Sequence, residues 1–247
     1  MSGHSKWSTI KHKKGANDAK RGKIFTKLIK EITIAAKLGG GDPDGNPRLR
    51  LAIQNAKGQN MPKDNIERAI KKATGAGAED YIETTYEGYG PYGVAVFVEC
   101  TTDNLNRTVS NIRSLFAKYG GSLGVNGSVE YMFDRMGIFN IVLDSSADVD
   151  ELTLELIDGG AVDVEIEDGF MTVSCAMEDF GNMQNKIEEL GIEPESSELS
   201  RIPTTMVSLS DDEFTKVLKL IDSLEDDDDI QKVYHNIDAT EAQLDTL

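Results

Sequence analysis

The sequence predicts an α+β protein: an N-terminal three-helix domain followed by two α+β, ferredoxin-like domains, one inserted in the other. Three observations carry this prediction. Apolar residues recur at helical spacing in three consecutive short segments before residue 75, separated by small loops. From Gly137 the order strand, helix, strand, strand, helix ends in a strand near Leu199–Ile202. A last stretch then reads as strand, helix, strand and is left over to pair back with the strands of residues 81–133. The expected domains are therefore 1–76, the discontinuous unit 77–133 plus 204–247, and the inserted unit 134–203.

Taken in order, residues 1–16 hold Lys6, Lys11, Lys13 and Lys14 with His4, His12 and Trp7, and lack apolar periodicity, which reads as a mobile basic arm. From Asp18 to Leu38, the residues Ile24, Phe25, Leu28, Ile29, Ile32, Ala35 and Ala36 line one helical face. Lys20, Lys23, Lys27 and Lys30 stand at offsets 0, 3, 7 and 10, a single stripe opposite that face. Gly39-Gly40-Gly41 ends the helix. Asn46-Pro47 is an N-cap followed by proline at the first helical position, with Leu49, Ala52, Ile53 and Ala56 inward. Pro62 opens a third helix with Ile66, Ala69, Ile70 and Ala73 inward.

Strand patterns follow at Tyr81–Tyr89 and Val94–Cys100, joined by the turn Gly90-Pro91-Tyr92-Gly93. A helix is expected over about Asn104–Tyr119 and a strand over Ser128–Phe133. In the next unit the expected elements are a strand at Ile138–Leu143, a helix at Val149–Ile157, a hairpin at Val162–Glu167 and Met171–Ala176, and a helix over about Glu178–Leu190. Thr205–Leu209, Asp211–Leu224 and Ile230–Ile237 form the final βαβ stretch.

The net charge of −17 conceals two opposite fields. Residues 1–74 hold 17 Lys+Arg against 6 Asp+Glu, and the remainder holds 9 against 37. A polyanion senses mainly the nearer field, within a Debye length of about 8–10 Å. A dense basic face suits a phosphate backbone, and Trp7 offers either a stacking face for a base or a packing partner for the bundle. Residues 134–200 hold 18 Asp+Glu and only Arg135 and Lys186 as bases. That unit cannot lie against phosphates, so it faces solvent or reaches a basic protein.

Other chemistry finds little support. Cys100 and Cys175 sit in apolar strand-like runs, which suits buried thiols in a reducing compartment, so a cytoplasmic location is expected. The polar N-terminus has no secretory apolar region, and no run is long enough to span a membrane. His4, His12 and His235 lack ligand spacing, so no metal site or cofactor is expected. Asp226–Asp229 lacks the spacing of a calcium loop and reads as a solvated acidic turn. The glycines of 86–93 lack the Gly-Lys-Ser/Thr ending of a phosphate loop, and no catalytic constellation can be assembled.

The segments GHSKW (3–7), KRGKIFTKLIKEI (20–32), AAKLGGGDPDGNPRLR (35–50), NMPKDNIERAI (60–70), YEGYGPYGVAVFVE (86–99), DNLNRT (103–108) and GGSLGVNGSVEYMF (120–133) resemble the YebC/PmpR family. The mitochondrial translational activator of cytochrome c oxidase belongs to the same family. The resemblance implies three domains with the third inserted in the second, and no enzymatic activity. It implies a regulator of transcription that binds DNA, or a factor that acts on ribosomes and regulates translation through ribosomal RNA. The family's basic motif falls on Lys6, Trp7, Lys11, Lys13, Lys14, Lys20, Arg21, Lys23, Lys27, Arg48 and Arg50. With Lys30 of the stripe, these are the expected nucleic-acid contacts of a monomer. Tyr92 departs from the family, where a second glycine is expected after Gly90-Pro91.

Overall fold

The computed structural model describes residues 18–75, 80–144, 148–167 and 169–244, with side chains from Gly22 onward. Among the described residues three helices come first: α1 (Asp18–Gly39), α2 (Pro47–Gly58) and α3 (Lys63–Thr74). The Asn46 side chain accepts the Leu49 amide at 3.1 Å and donates to the Ala35 and Gly40 carbonyls at 2.8 Å each, so one cap also ties α2 to the end of α1. Ile32, Leu49, Ile66 and Met61 fill the core between the helices. Ala35, Ala36, Ala52, Ala56, Ala69 and Ala73 line the seams, where small side chains allow the axes to approach to about 8 Å.

The second unit starts with a hairpin of β1 (Ile82–Tyr89) and β2 (Ala95–Thr102), in which Tyr89 faces Ala95 and Ile82 faces Thr102. Its turn places Tyr92 at φ 62°, in the left-handed region that favours glycine. That is the physical meaning of the departure seen in the sequence. The Tyr92 hydroxyl instead accepts from Lys216 Nζ at 3.2 Å. Helix α4 (Leu105–Lys118) and the short β3 (Ser122–Leu123) follow. After the inserted unit the chain returns with β8 (Val207–Ser208), α7 (Asp211–Glu225), β9 (Ile230–His235), β10 (Ile237–Asp238) and the turn of helix α8 (Glu241–Leu244). Strand β9 pairs antiparallel with β2, which closes a sheet of order β3-β1-β2-β9. Helices α4 and α7 cover one face of it, with Ile112, Phe116, Val217, Leu220 and Leu224 packed on Val96, Val98 and Cys100. Burial pushes the Cys100 thiol pKa up.

The inserted unit comprises β4 (Phe133–Val142), α5 (Val149–Asp158), β5 (Ala161–Glu167), β6 (Phe170–Ala176), α6 (Phe180–Glu189) and β7 (Ser196–Pro203). Its antiparallel order β5-β6-β4-β7 is ferredoxin-like. Phe139, Ile141, Leu156, Met171, Val173, Cys175, Met183 and Ile187 form its core. The chain enters and leaves at one place, because Phe133 pairs with Pro203 and the Thr204 amide donates to the Met132 carbonyl at 2.8 Å. Closely spaced ends let a complete module interrupt another without opening its sheet. Arg201, buried between the two sheets, lies 3.8 Å above the Phe97 ring and donates to Glu99 at 3.1 Å.

Three expectations need correction. Residues 128–132 are not a strand: Glu130–Met132 form a 3-10 turn, and Phe133 already belongs to β4. The buried Glu87 carboxylate accepts the amides of Gly127, Val129 and Glu130 at 2.6, 2.8 and 2.8 Å, which takes the donors a strand would have used. Strand β4 begins at Phe133, ahead of the expected Ile138, and runs unbroken through Gly137. A Cβ there would lie 2.6 Å from the Phe180 ring and 2.7 Å from Cys175 Sγ, so the glycine serves close packing. Finally, the parallel pairing of the last stretch joins β8 to β10 over two residue pairs, Val207 with Ile237 and Ser208 with Asp238, while β9 enters the large sheet.

Candidate nucleic-acid interface

Helix α1 presents its lysines in the expected line, and the structure shows what that line faces. At the end of α7 the chain turns through Asp226–Asp229 into β9. Lys23 Nζ lies 2.6 Å from Asp226 Oδ1. One turn on, Lys27 Nζ donates to the Glu225 carbonyl at 2.9 Å. Lys30 Nζ donates to the carbonyls of Asp228 and Thr101 at 2.6 and 3.2 Å, and to Asp229 Oδ1 at 3.3 Å. The charge is drawn to the C-terminus of α7, where unpaired carbonyls and the helix dipole favour cations.

Asp229 is the hub of this joint. It is 5% exposed, and its second oxygen accepts from Arg107 Nη2 at 2.7 Å, Thr108 Oγ1 at 2.9 Å and Thr102 Oγ1 at 3.2 Å. Burial alone would raise its pKa, but Arg107, Thr108 and Lys30 outweigh burial and hold it below the usual carboxylate value. For Lys27 the balance runs the other way: burial lowers its pKa, and the Glu225 charge only partly offsets it. The Asp226–Asp229 segment is therefore a docking socket for α1, which corrects its reading as a solvated acidic turn.

Arg48 on α2 is clamped between two carboxylates, with Nε 2.9 Å from Glu31 Oε1 and Nη2 2.6 Å from Glu83 Oε1. The hydrogen bonds to Glu83, helped by Glu31, raise its pKa. Arg50 donates to the carbonyls of Pro43 and Asp44 at 3.2 and 3.1 Å and braces the loop before α2. Lys37 bonds Asp80. The helical domain also touches the inserted unit. Asn55 Nδ2 donates to the Ser197 carbonyl at 2.8 Å, and the Ser197 amide donates back to Asn55 Oδ1 at 2.9 Å. A Cβ at Gly58 would lie 2.0 Å from the Glu195 carbonyl oxygen, so backbone meets backbone there.

The expected contacts thus divide. Lys27, Lys30, Arg48 and Arg50 are engaged within the chain, and the reading of Lys27 and Lys30 as an outward phosphate stripe is corrected, because both ammonium groups point into the joint. Lys23 is half exposed beside Asp226. Lys20 and Arg21 stand on the first turn of α1, with their side chains outside the description. Lys6, Trp7, Lys11, Lys13 and Lys14, and the arm that carries them, lie outside the described residues.

Sequence reasoning passed over Lys57 on α2 and Arg68, Lys71 and Lys72 on α3, all exposed. The signal was present, since inward Ile66, Ala69 and Ala73 leave Arg68, Lys71 and Lys72 on the outer face. Among the described residues, no group of three or more His, Cys, Asp or Glu could hold a metal ion, and no helix is long and apolar enough to cross a membrane.

Two family models match the chain. One, described as the TACO1/YebC protein N-terminal domain, covers residues 5–76, and one described as the TACO1/YebC second and third domain covers residues 81–237. A relative from Geotalea uraniireducens, named "Probable transcriptional regulatory protein", is 57% identical over 248 residues, which span the whole of both chains. A protein of the same name from Treponema denticola is 55% identical over 98% of each chain. The crystal structure of a conserved hypothetical protein from Aquifex aeolicus superposes with a TM-score of 0.81 at 42% identity, covering 91% of this chain and 93% of that one.

Proposed function

We infer that this chain, which belongs to the TACO1/YebC family, is a non-enzymatic regulatory factor that binds nucleic acid through its basic N-terminal region and regulates transcription on DNA. The observation that carries this reading is the charge division: 17 bases against 6 acids in residues 1–74, in a chain whose remainder holds 9 against 37. Phosphate neutralisation and counterion release supply affinity without reading bases. With Lys27 and Lys30 engaged in the domain joint, the contacts fall to the arm residues Lys6, Trp7, Lys11, Lys13 and Lys14, to Lys20, Arg21 and Lys23 at the start of α1, and to the exposed cations of α2 and α3. The test is fluorescence anisotropy on two duplexes of unrelated sequence. The expected result is similar affinity for both and a steep loss between about 50 and 200 mM salt. Affinity that stayed level across that range would refute the reading.

A second reading, a cytoplasmic translation factor on ribosomal RNA, is favoured by the inserted unit, whose 18 acids against two bases suit basic proteins and repel phosphates. Sedimentation of native protein on sucrose gradients separates the two. Migration with ribosomes that survives DNase favours translation, and light fractions with DNase-sensitive retention on DNA favour transcription.

A further inference from the structure

The open edge of the inserted sheet combines features that nucleic-acid binding does not use. Strand β5 hydrogen-bonds only to β6 and has no strand on its other side among the described residues. Its register is regular from Asp163 to Glu167, after an irregularity between Ala161 and Asp163 at which Val162 turns outward. The pairs Val164 with Val173 and Ile166 with Met171 put those two side chains on the helix-covered face, because Val173 and Met171 belong to the core. Asp163, Glu165 and Glu167 lie on the opposite face, spaced roughly 7 Å apart.

Carboxylates on an edge strand guard against unwanted pairing, and that accounts for the acidic row. It does not account for the apolar groups beside it. Of the eleven large apolar side chains exposed among the described residues, four lie on β5 and on the helix that leads into it: Leu154, Ile157, Val162 and Ile166. Leu154 and Val162 are each 65% exposed. Leu154 and Ile157 share a face of α5, the helix that leads into β5, away from buried Leu156. A purely defensive edge would carry polar residues at these places.

We propose that β5 is a docking edge for an extended, basic segment of a partner protein, which adds as a further strand with lysine or arginine alternating with apolar residues. The period of two in β5 dictates that pattern. Cations of the added strand would face Asp163, Glu165 and Glu167, and its apolar side chains would meet Ile166 and the exposed face of α5. Main-chain hydrogen bonds would fix the register and the two faces would select the sequence. A second copy of this chain is the weaker occupant, since each inserted unit carries 18 acids against two bases and two of them repel.

The test uses the full chain and two short, end-blocked, labelled peptides of identical composition. In one, lysine and valine alternate; in the other, the same residues are segregated into two blocks. Anisotropy at physiological salt should show the alternating peptide binding at least about tenfold more tightly, the result expected of strand addition as opposed to charge attraction. Ile166→Lys should weaken it by a further tenfold or more, and Glu167→Lys, at an exposed position, supplies a second variant should the first disturb folding. Equal affinity for the two peptides, binding of neither, or full retention in both variants would overturn the proposal. So would a concentration-dependent dimer that the alternating peptide cannot displace, because that assigns the edge to a second copy.

Discussion

The Lys30 ammonium on α1 sits 3.3 Å from the buried carboxylate of Asp229 at the start of β9, with two main-chain carbonyls completing its shell. This contact joins the basic helical domain to the discontinuous α+β domain, and it does so with charges that would otherwise repel phosphate or attract it.

Removing the acid should be costly. Asp229→Ala leaves Lys30 without its carboxylate and Arg107 with only Asp103, and the loss of one member of such a buried set costs about 3 kcal/mol. Urea unfolding measures it. The pH dependence follows from the depressed pKa of Asp229. A folded value below the unfolded one, near 3.8, means that its stabilisation is complete above about pH 4 and is lost as pH falls through the folded pKa. Asp229→Asn should be less stable at neutral pH and should lose less on acidification than the parent.

Lys27 predicts the reverse behaviour. Burial holds its pKa below 10.5, so keeping the charged form opposes folding at neutral pH, and this penalty fades as pH rises from the folded value towards 10.5. Lys27→Met should change stability by less than about 1 kcal/mol at pH 7, in contrast to Lys30→Met, which takes the ammonium from Asp229 Oδ1 and leaves only the Arg107 side of that carboxylate paired. Thermal melts of the two variants side by side provide the check.

The same division should appear in binding. Deleting residues 2–16 removes Lys6, Lys11, Lys13 and Lys14, and should lower the slope of log affinity against log salt by roughly 3 to 4 on duplex DNA. Lys30→Met should leave that slope within about 1 of the parent. A slope unmoved by the deletion would mean that the arm is not a contact surface.

Gly58 and Asn55 are expected to control how the helical domain seats on the inserted unit. Gly58→Ala pushes a methyl group into the Glu195 carbonyl, where only 2.0 Å is open, and should cost about 1–3 kcal/mol. Asn55→Ala breaks the reciprocal bonds to Ser197 and should cost about 1–2 kcal/mol. Both variants should expose the 190–197 segment to protease sooner than the parent, with chemical denaturation reporting the energies.

Tyr92→Gly relieves a left-handed φ of 62° and should stabilise the hairpin by about 1 kcal/mol, reduced by the lost contact with Lys216. Differential scanning of the two proteins decides it.

The local pattern by itself determined the elements and the charge division. The cap at Asn46, the apolar spacing of α1 to α3 and the ferredoxin-like order of the inserted unit are all written in short-range pattern, which depends on neighbours a few residues apart. The same spacing put Lys23, Lys27 and Lys30 on one stripe. What it could not say was which surface that stripe would meet, since Asp226 and Asp229 lie about 200 residues further along the chain. The early start of β4 was hidden for a similar reason, because the side chains that demand a glycine at position 137, which reads locally as a break, come from Cys175 and Phe180. Only the tertiary structure decided these points: charge partners and steric limits are set by what folding brings together, and a lysine that reads as a phosphate ligand in sequence becomes an internal ammonium once a helix end and a carboxylate are placed against it.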